Sequence, residues 1–373
     1  MSTLIVRPVA TRREKREFLN LPWRLYRDDP NWVPPLRLDQ EELVGYRYHP
    51  FYERNEIQTF LAWRDGEVCG RVAAILNRNH NEYHHEKRGF WGFFECVDDR
   101  DVAGALFDAV KQWFAERDIH ALRGPMNPAF HYSLGLLVEG FDSPPTFLLT
   151  YNPSYYPRLA EAYGFRKAQD LFAYYGHRDQ LPASSAKVGP VAEQIVARYN
   201  IRLRALDRKR FRQDVEDFVR ICNRALVSHW SFVPLPDNEI KHLAKGLQWL
   251  IVPELAVGAE IDGRLVGVVL ALPDYNPRIK QINGRLLPFG FLRLLRNKQA
   301  IKKVRIAAAY VVPEYQLHGI GLVLLRALVP KALEWGLQEA EYSWVAESNL
   351  LSRGALEKGG AKRIKTYRVY DYP

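Results

Sequence analysis

The chain has 373 residues, 47% hydrophobic and 26% charged, an ordinary globular composition whose length suggests about two domains. Disorder, collagen and disulfide scaffolds are excluded, because Cys69, Cys96 and Cys222 are odd in number, widely spaced and without a CxxC pair, which points to the reducing cytoplasm and away from a cysteine zinc site. No run reaches the roughly 18 to 20 apolar residues of a membrane span, and residues 1–18 lack the apolar core of a secretory signal, so a soluble or peripheral protein is expected. The net charge of +10 divides unevenly. Residues 1–185 hold 23 Lys+Arg against 25 Asp+Glu, whereas residues 186–373 hold 30 against 18. A basic second half suits nucleic acid, an anionic membrane surface or a polyphosphate ligand, and charge alone does not choose among them.

In chain order, a helical N-terminal part leads to a hairpin around Asp65-Gly66, where Asp-Gly supplies the positive φ of a tight turn and apolar alternation marks both strands. Residues 90–97 read as a strand, 102–117 as an amphipathic helix and 119–123 as the next strand. The small, polar run 181–185 is the expected linker. A second hairpin follows at Asp262-Gly263, then a strand at 305–312, a helix at 319–335 that Pro330 should kink, and a strand at 341–346. The two halves match at nearly constant offset: Asp65 with Asp262, Asn152 with Asn349, Gly164 with Gly360. Two modules follow, 1–185 and 186–373, each a mixed α/β unit.

The most specific chemistry lies at residues 311–321, Val-Val-Pro-Glu-Tyr-Gln-Leu-His-Gly-Ile-Gly, where a strand ends, a loop turns and a helix begins. Glycines there let successive N–H groups converge on an anion at the positive end of the helix. Neither a Walker A loop nor a GxGxxG fingerprint is present. With Gln316, Gly319 and Gly321 in the pattern Gln-x-x-Gly-x-Gly, and Asn349 after the following strand, the sequence resembles the GNAT superfamily of acyl-CoA-dependent N-acyltransferases; the family's closing Gly-Phe element falls imperfectly on Gly360-Ala361. The resemblance implies tandem GNAT-like modules, each a mixed, mostly antiparallel sheet flanked by helices. Acyl-CoA, acetyl or longer-chain, is the implied co-substrate. Its diphosphate would meet the amides of Leu317, His318, Gly319, Ile320 and Gly321, its pantetheine arm the backbone at Val311 and Val312, and Gln316 and Asn349 complete the implied cofactor-binding set. The first module departs from the pattern: Asp98, Asp99 and Asp101 stand where phosphates would sit, so it reads as a degenerate, structural or acceptor-binding partner. The second has Leu356 where many members place a tyrosine acid.

Amide formation needs a deprotonated acceptor amine and a donor for the departing thiolate. Glu347, just past a strand, is the candidate base, and Tyr310, near the end of the strand expected to hold pantetheine, the candidate donor. His229, Trp230 and His131 sit in loops where an acceptor could be held. His80, His84 and His85 read as solvent-exposed, and no metal site is expected.

Residues 277–305 carry nine basic side chains and no acidic one, mixed with Leu286, Leu287, Phe289, Phe291, Leu292, Leu294 and Leu295. Cations beside large apolar groups suit an anionic membrane surface, where each group has a partner, better than nucleic acid. With its loops at 93–99 and 140–142, the chain also resembles a bacterial group of tandem GNAT-like proteins tied to N-acylation of lipid amines in ceramide synthesis. The expectation is a cytoplasmic N-acyltransferase acting on a small-molecule or lipid amine, sphingoid in type, peripheral at the inner membrane face through residues 277–305 and without nucleic acid. Two alternatives stand beside it. One is a catalytically silent CoA- or lipid-binding protein, favoured by Leu356. The other is a tRNA-dependent aminoacyltransferase of the tandem type, against which the intact loop argues.

Overall fold

The computed structural model describes residues 3–207 and 209–373, the side chains of residues 182–187 excepted. It contains two compact units: one of Met1–Leu171, Asn276–Leu294 and Lys365–Pro373, the other of Phe172–Tyr275 and Leu295–Ile364.

In the first unit the strands run in the order Leu4–Pro8, Glu56–Arg64, Glu67–Leu76, Arg88–Cys96, Ala121–Gly124, followed by residues 365–372. Neighbours are antiparallel except Arg88–Cys96 with Ala121–Gly124, whose parallel ladder covers only Arg88↔Ala121 to Phe90↔Arg123. The hairpin turn sits at Asp65 and Gly66, φ 49° and 85°, as the Asp-Gly pair requires. The helix Arg100–Ala115 connects the parallel pair. It buries Val102, Leu106, Val110 and Phe114, an i, i+4 stripe, against a core in which Phe107 packs on Trp91, Phe94 and Phe165.

The second unit repeats this plan. Its strands run Arg202–Ala205, Ala256–Ile261, Arg264–Pro273, Lys303–Val311, Glu339–Ala346, then residues 172–177. Again one pair is parallel, Lys303–Val311 with Glu339–Ala346. The helix Ile320–Trp335 connects it, continues through Pro330 and buries Ile320, Val323, Leu324 and Leu328. In each unit the strand pairing is therefore mixed and mostly antiparallel, as the resemblance implied.

Two expectations are corrected. The run 181–185 is no linker, since its backbone opens the helix Leu181–Tyr199. A proline in the first helical turn is tolerated because its missing N–H would have had no partner there. His80 is buried rather than exposed; its Nε2 lies 2.5 Å from Glu86 Oε1, and burial pulls its pKa down to about 4.

Candidate functional site

In the second unit the strand Lys303–Val311 carries a bulge. Its register against Arg264–Pro273 passes from Ala308↔Leu270 to Ile306↔Ala271 and leaves Ala307 unmatched. On the other side the parallel ladder ends at Ile306↔Tyr342, although the strands run on to Val311 and Ala346. Beyond Ile306 the two strands are no longer paired, and the loop 312–319 follows directly.

That loop is built for close approach. After a single turn at Pro313–Tyr315, the Gln316 side-chain Nε2 donates to Val311 O at 3.0 Å and to Ala225 O at 3.2 Å, tying loop, strand end and the helix Phe211–Ala225 together. Leu317 takes φ 66° and lies exposed. His318 stacks on Tyr199, ring centroids 5.1 Å apart. Gly319 is the N-cap of Ile320–Trp335 at φ 77°, a conformation that favours glycine; a Cβ there would also press on the movable tip of Ile195, Cδ1 at 2.5 Å. Gly321 is different. A Cβ there would meet nothing within 4 Å, and a helical glycine in open space costs about 1 kcal/mol against alanine with no packing reason. No side chain caps this helix. Its first N–H groups and the positive end of its dipole are thus left without a capping side chain, a donor set that fits a diphosphate.

The first unit shows the same geometry already filled by its own chain. At the N-terminus of Arg100–Ala115, Asp99 Oδ1 accepts from the amides of Asp101 at 2.9 Å and Val102 at 3.1 Å, while Oδ2 meets Arg64 at 2.6 Å. A bulge recurs in Arg88–Cys96, with Phe93 at φ 51°. Its N–H donates to Asn127 Oδ1 at 2.6 Å. Beside it a Cβ on Gly92 would stand 1.9 Å from Met126 O. The repulsion expected from three aspartates is thus more specific: one carboxylate sits where an anion would bind.

Around the second unit's unpaired strands, Tyr310 is half-buried, and burial first, then the nearby Cys222, raises its phenol pKa against the opposing Arg305. It stays protonated at neutral pH. Glu347 is half-buried just past Glu339–Ala346, its carbonyl accepting from Arg353 at 2.8 Å. Asn349 caps the helix Leu350–Lys358, its Oδ1 accepting from Ser352 N at 3.1 Å. Leu356 packs against the cluster of Phe172, Tyr174 and Val345. His229 and Trp230 lie in the turn after Phe211–Ala225; His229 Nδ1 is buried without a hydrogen-bond partner, and burial lowers the ring's pKa. His131, edge-on to Phe130, belongs to the first unit, so the three acceptor-loop candidates divide between the units.

The sequence reading missed a buried polar cluster at the end of the parallel ladder. Arg305 lies opposite Glu341 in the register and donates to Ser343 O and Oγ at 3.1–3.2 Å. Ser343 Oγ in turn donates to the fully buried Glu341 at 3.2 Å, and Lys303 Nζ is 3.7 Å from Glu341. Charged residues alternating through a strand, 303 with 305 and 339 with 341, were the available sign.

Two units of this strand order, each with a bulge in the strand that opens one short parallel ladder, define a tandem GNAT architecture. Residues 223–360 match the model of the acetyltransferase (GNAT) family. Over its whole length the chain is 35% identical to the bacterial ceramide synthase of Caulobacter vibrioides, covering 99% of this chain and 97% of that one. It is 30% identical to protein YghO of Escherichia coli, covering 98% and 95%. A tandem GNAT protein from the clavulanic acid biosynthesis pathway shares the fold at 12% identity and a TM-score of 0.54, with 99% of this chain and 98% of that chain covered. The chain belongs to the GNAT family of acyltransferases. Acyl transfer is the reaction of that family, and acyl-CoA its co-substrate.

Proposed function

We propose that the second unit binds acyl-CoA and transfers its acyl group to the amine of a lipid of the sphingoid type at the cytoplasmic side of a membrane. The observation that carries this reading is the helix N-terminus at Gly319, free of any capping carboxylate and open at Gly321, beside strands that part at Ile306. The amides of residues 317–321 hold the diphosphate, Gln316 fixes the loop that presents them, and the backbone of Val311 pairs with the pantetheine arm, since Val312 is already engaged by Val266 O at 2.9 Å and Tyr315 N at 3.0 Å. Acyl-CoA, when bound, supplies an activated thioester carbonyl. Glu347 accepts the acceptor amine's proton, directly or through one water. Tyr310 keeps its proton by burial and offers it to the departing sulfur. Asn349 sets the start of the helix that follows Glu347. His229 and Trp230, which belong to this same unit, contact acceptor. The name of the Caulobacter vibrioides relative, a bacterial ceramide synthase, supports a lipid amine as that acceptor.

Calorimetry with CoA tests the cofactor half. One site per chain is expected, and Gly319→Glu should abolish binding by placing bulk and charge at the diphosphate position. Two equivalent sites, or unchanged affinity in the variant, reject it. Incubation of the protein with long-chain acyl-CoA and sphinganine should yield the N-acyl product. CoA binding without product on any amine would leave the silent binding protein as the better reading.

A further inference from the structure

Residues 276–294 leave the second half of the sequence to become part of the first unit, and they are fixed there at several points. Asn276 donates to Pro145 O at 2.7 Å, Trp23 Nε1 to Asn283 Oδ1 at 2.6 Å, and Arg37 N to Gly284 O at 3.0 Å. Lys280 reaches Pro30 O. Ile279 and Leu294 are buried. A side chain on Gly284 would press within 2.2 Å of Pro35 O. The segment is therefore a built part of the unit.

What it presents outward is unusual. Leu287 is 69% exposed, Phe289 73%, Leu292 54% and Phe291 41%, four large apolar side chains within six residues that nothing in the unit covers. Arg285 and Arg293 are exposed among them, and residues 277–294 contain no carboxylate. Arg37 lies 3.9 Å over the Trp23 ring, close enough to Arg285 for the two like charges to disfavour each other. The basic run does not act as a whole. Lys302 donates to Gln299 O and Trp335 O, Lys303 approaches Glu341 and Arg305 is buried on Ser343, so these three do not serve this surface.

We infer that the first unit docks through Arg285, Leu287, Phe289, Phe291, Leu292 and Arg293 onto an anionic phospholipid surface. Apolar groups among unpaired cations match the acyl boundary beneath negative headgroups, and such a surface satisfies both at once. A second copy of the chain matches poorly. An isologous contact would set the same arginines against each other with no acid to meet them.

The inference deepens the lipid-amine reading and gains its purpose from it, yet vesicle binding is read without any acyl transfer. Full-length protein should sediment with vesicles of phosphatidylglycerol and phosphatidylcholine in equal parts, and not with phosphatidylcholine alone. Raising salt to 1 M should release it, as the Debye length falls from about 10 Å at 0.1 M to about 3 Å. Arg285→Glu with Arg293→Glu, and separately Phe289→Ser with Leu292→Ser, should each lower partitioning about tenfold or more at unchanged Tm and CoA affinity. Absence of binding to anionic vesicles at low salt overturns the inference, as does full binding by both variants. A dimer that these variants dissociate, without vesicle binding, assigns the surface to a second copy instead. Vesicle binding without N-acyl product overturns the acceptor reading alone, and product without vesicle binding overturns this one alone.

Discussion

Glu347 and His80 show how far one side chain's surroundings decide its role. If Glu347 takes the amine proton, Glu347→Gln should lower kcat on the order of 10²- to 10⁴-fold while acyl-CoA affinity holds, because the loss falls on proton transfer. Equal kcat in variant and parent across pH removes it from the mechanism. His80 is buried neutral, with a folded pKa of about 4 against an ordinary 6.5. The unfolded chain therefore takes up the proton first as pH falls. Stability should be full above about 6.5 and decline toward 4, by about 3 kcal/mol in all. Thermal melts from pH 7 to 4 should show this decline, and His80→Gln, less stable at pH 7, should lack that part of it. The sequence showed His80 only among Asn and Glu, which reads as surface. Its burial comes from packing edge-on against Phe90, ring centroids 4.7 Å apart, in a strand that periodicity does not connect to it. Arg305, Ser343 and Glu341 were hidden for the same reason: the register 305↔341 joins residues far apart in sequence.

Elements were more legible than residues. Both hairpins, the parallel strands and the two connecting helices follow from local signals, Asp-Gly turns and apolar periods of 2 and 3.6, and they fall where the sequence places them within a few residues. Where a ladder stops is a tertiary property, and so the parting of the strands at Ile306 could not be read. Helix caps lie between these cases. Asn349 suits a cap by type, and its Oδ1 is engaged as one. Asn349→Ala should cost about 1 kcal/mol in denaturant unfolding. Asn349→Asp keeps an acceptor for Ser352 N and should restore that stability. Weaker CoA binding by the stable Asp variant would show that the amide also serves the ligand side, and equal binding would confine it to the cap.

At the scale of the molecule the two halves of the sequence exchange parts. Residues 365–373 belong to the first unit. There Tyr370, Asp371 and Tyr372 pair with Gly124, Arg123 and Leu122, while Thr366, Tyr367 and Arg368 pair along Leu136–Glu139. Tyr367, Val369 and Tyr370 are fully buried, Arg368 grips Asp170 at 2.8 and 3.0 Å, and Arg123 grips Asp371 at 2.7 and 2.8 Å. Burying such side chains contributes about 1.5 to 3 kcal/mol each, comparable in sum to the whole stability of a domain at about 5 to 15 kcal/mol. Deletion of residues 365–373 should therefore unfold the first unit, seen as loss of its protease resistance. A truncated chain with the parent's resistance would contradict that accounting. The repeat offset was readable, but which unit owns each copy of a strand was not.

The placement of those last residues also sets a schedule. On a ribosome the segment through Leu171 emerges early, yet its sheet waits for Lys365 and the residues after it. At about 5 to 20 residues per second, that wait is on the order of ten to forty seconds. Meanwhile Ala121–Gly124 and Leu136–Glu139 offer open edges to any other nascent strand. The first unit to be synthesised cannot be finished first, and the exposed interval, more than the folded state, is where this chain is most vulnerable to aggregation.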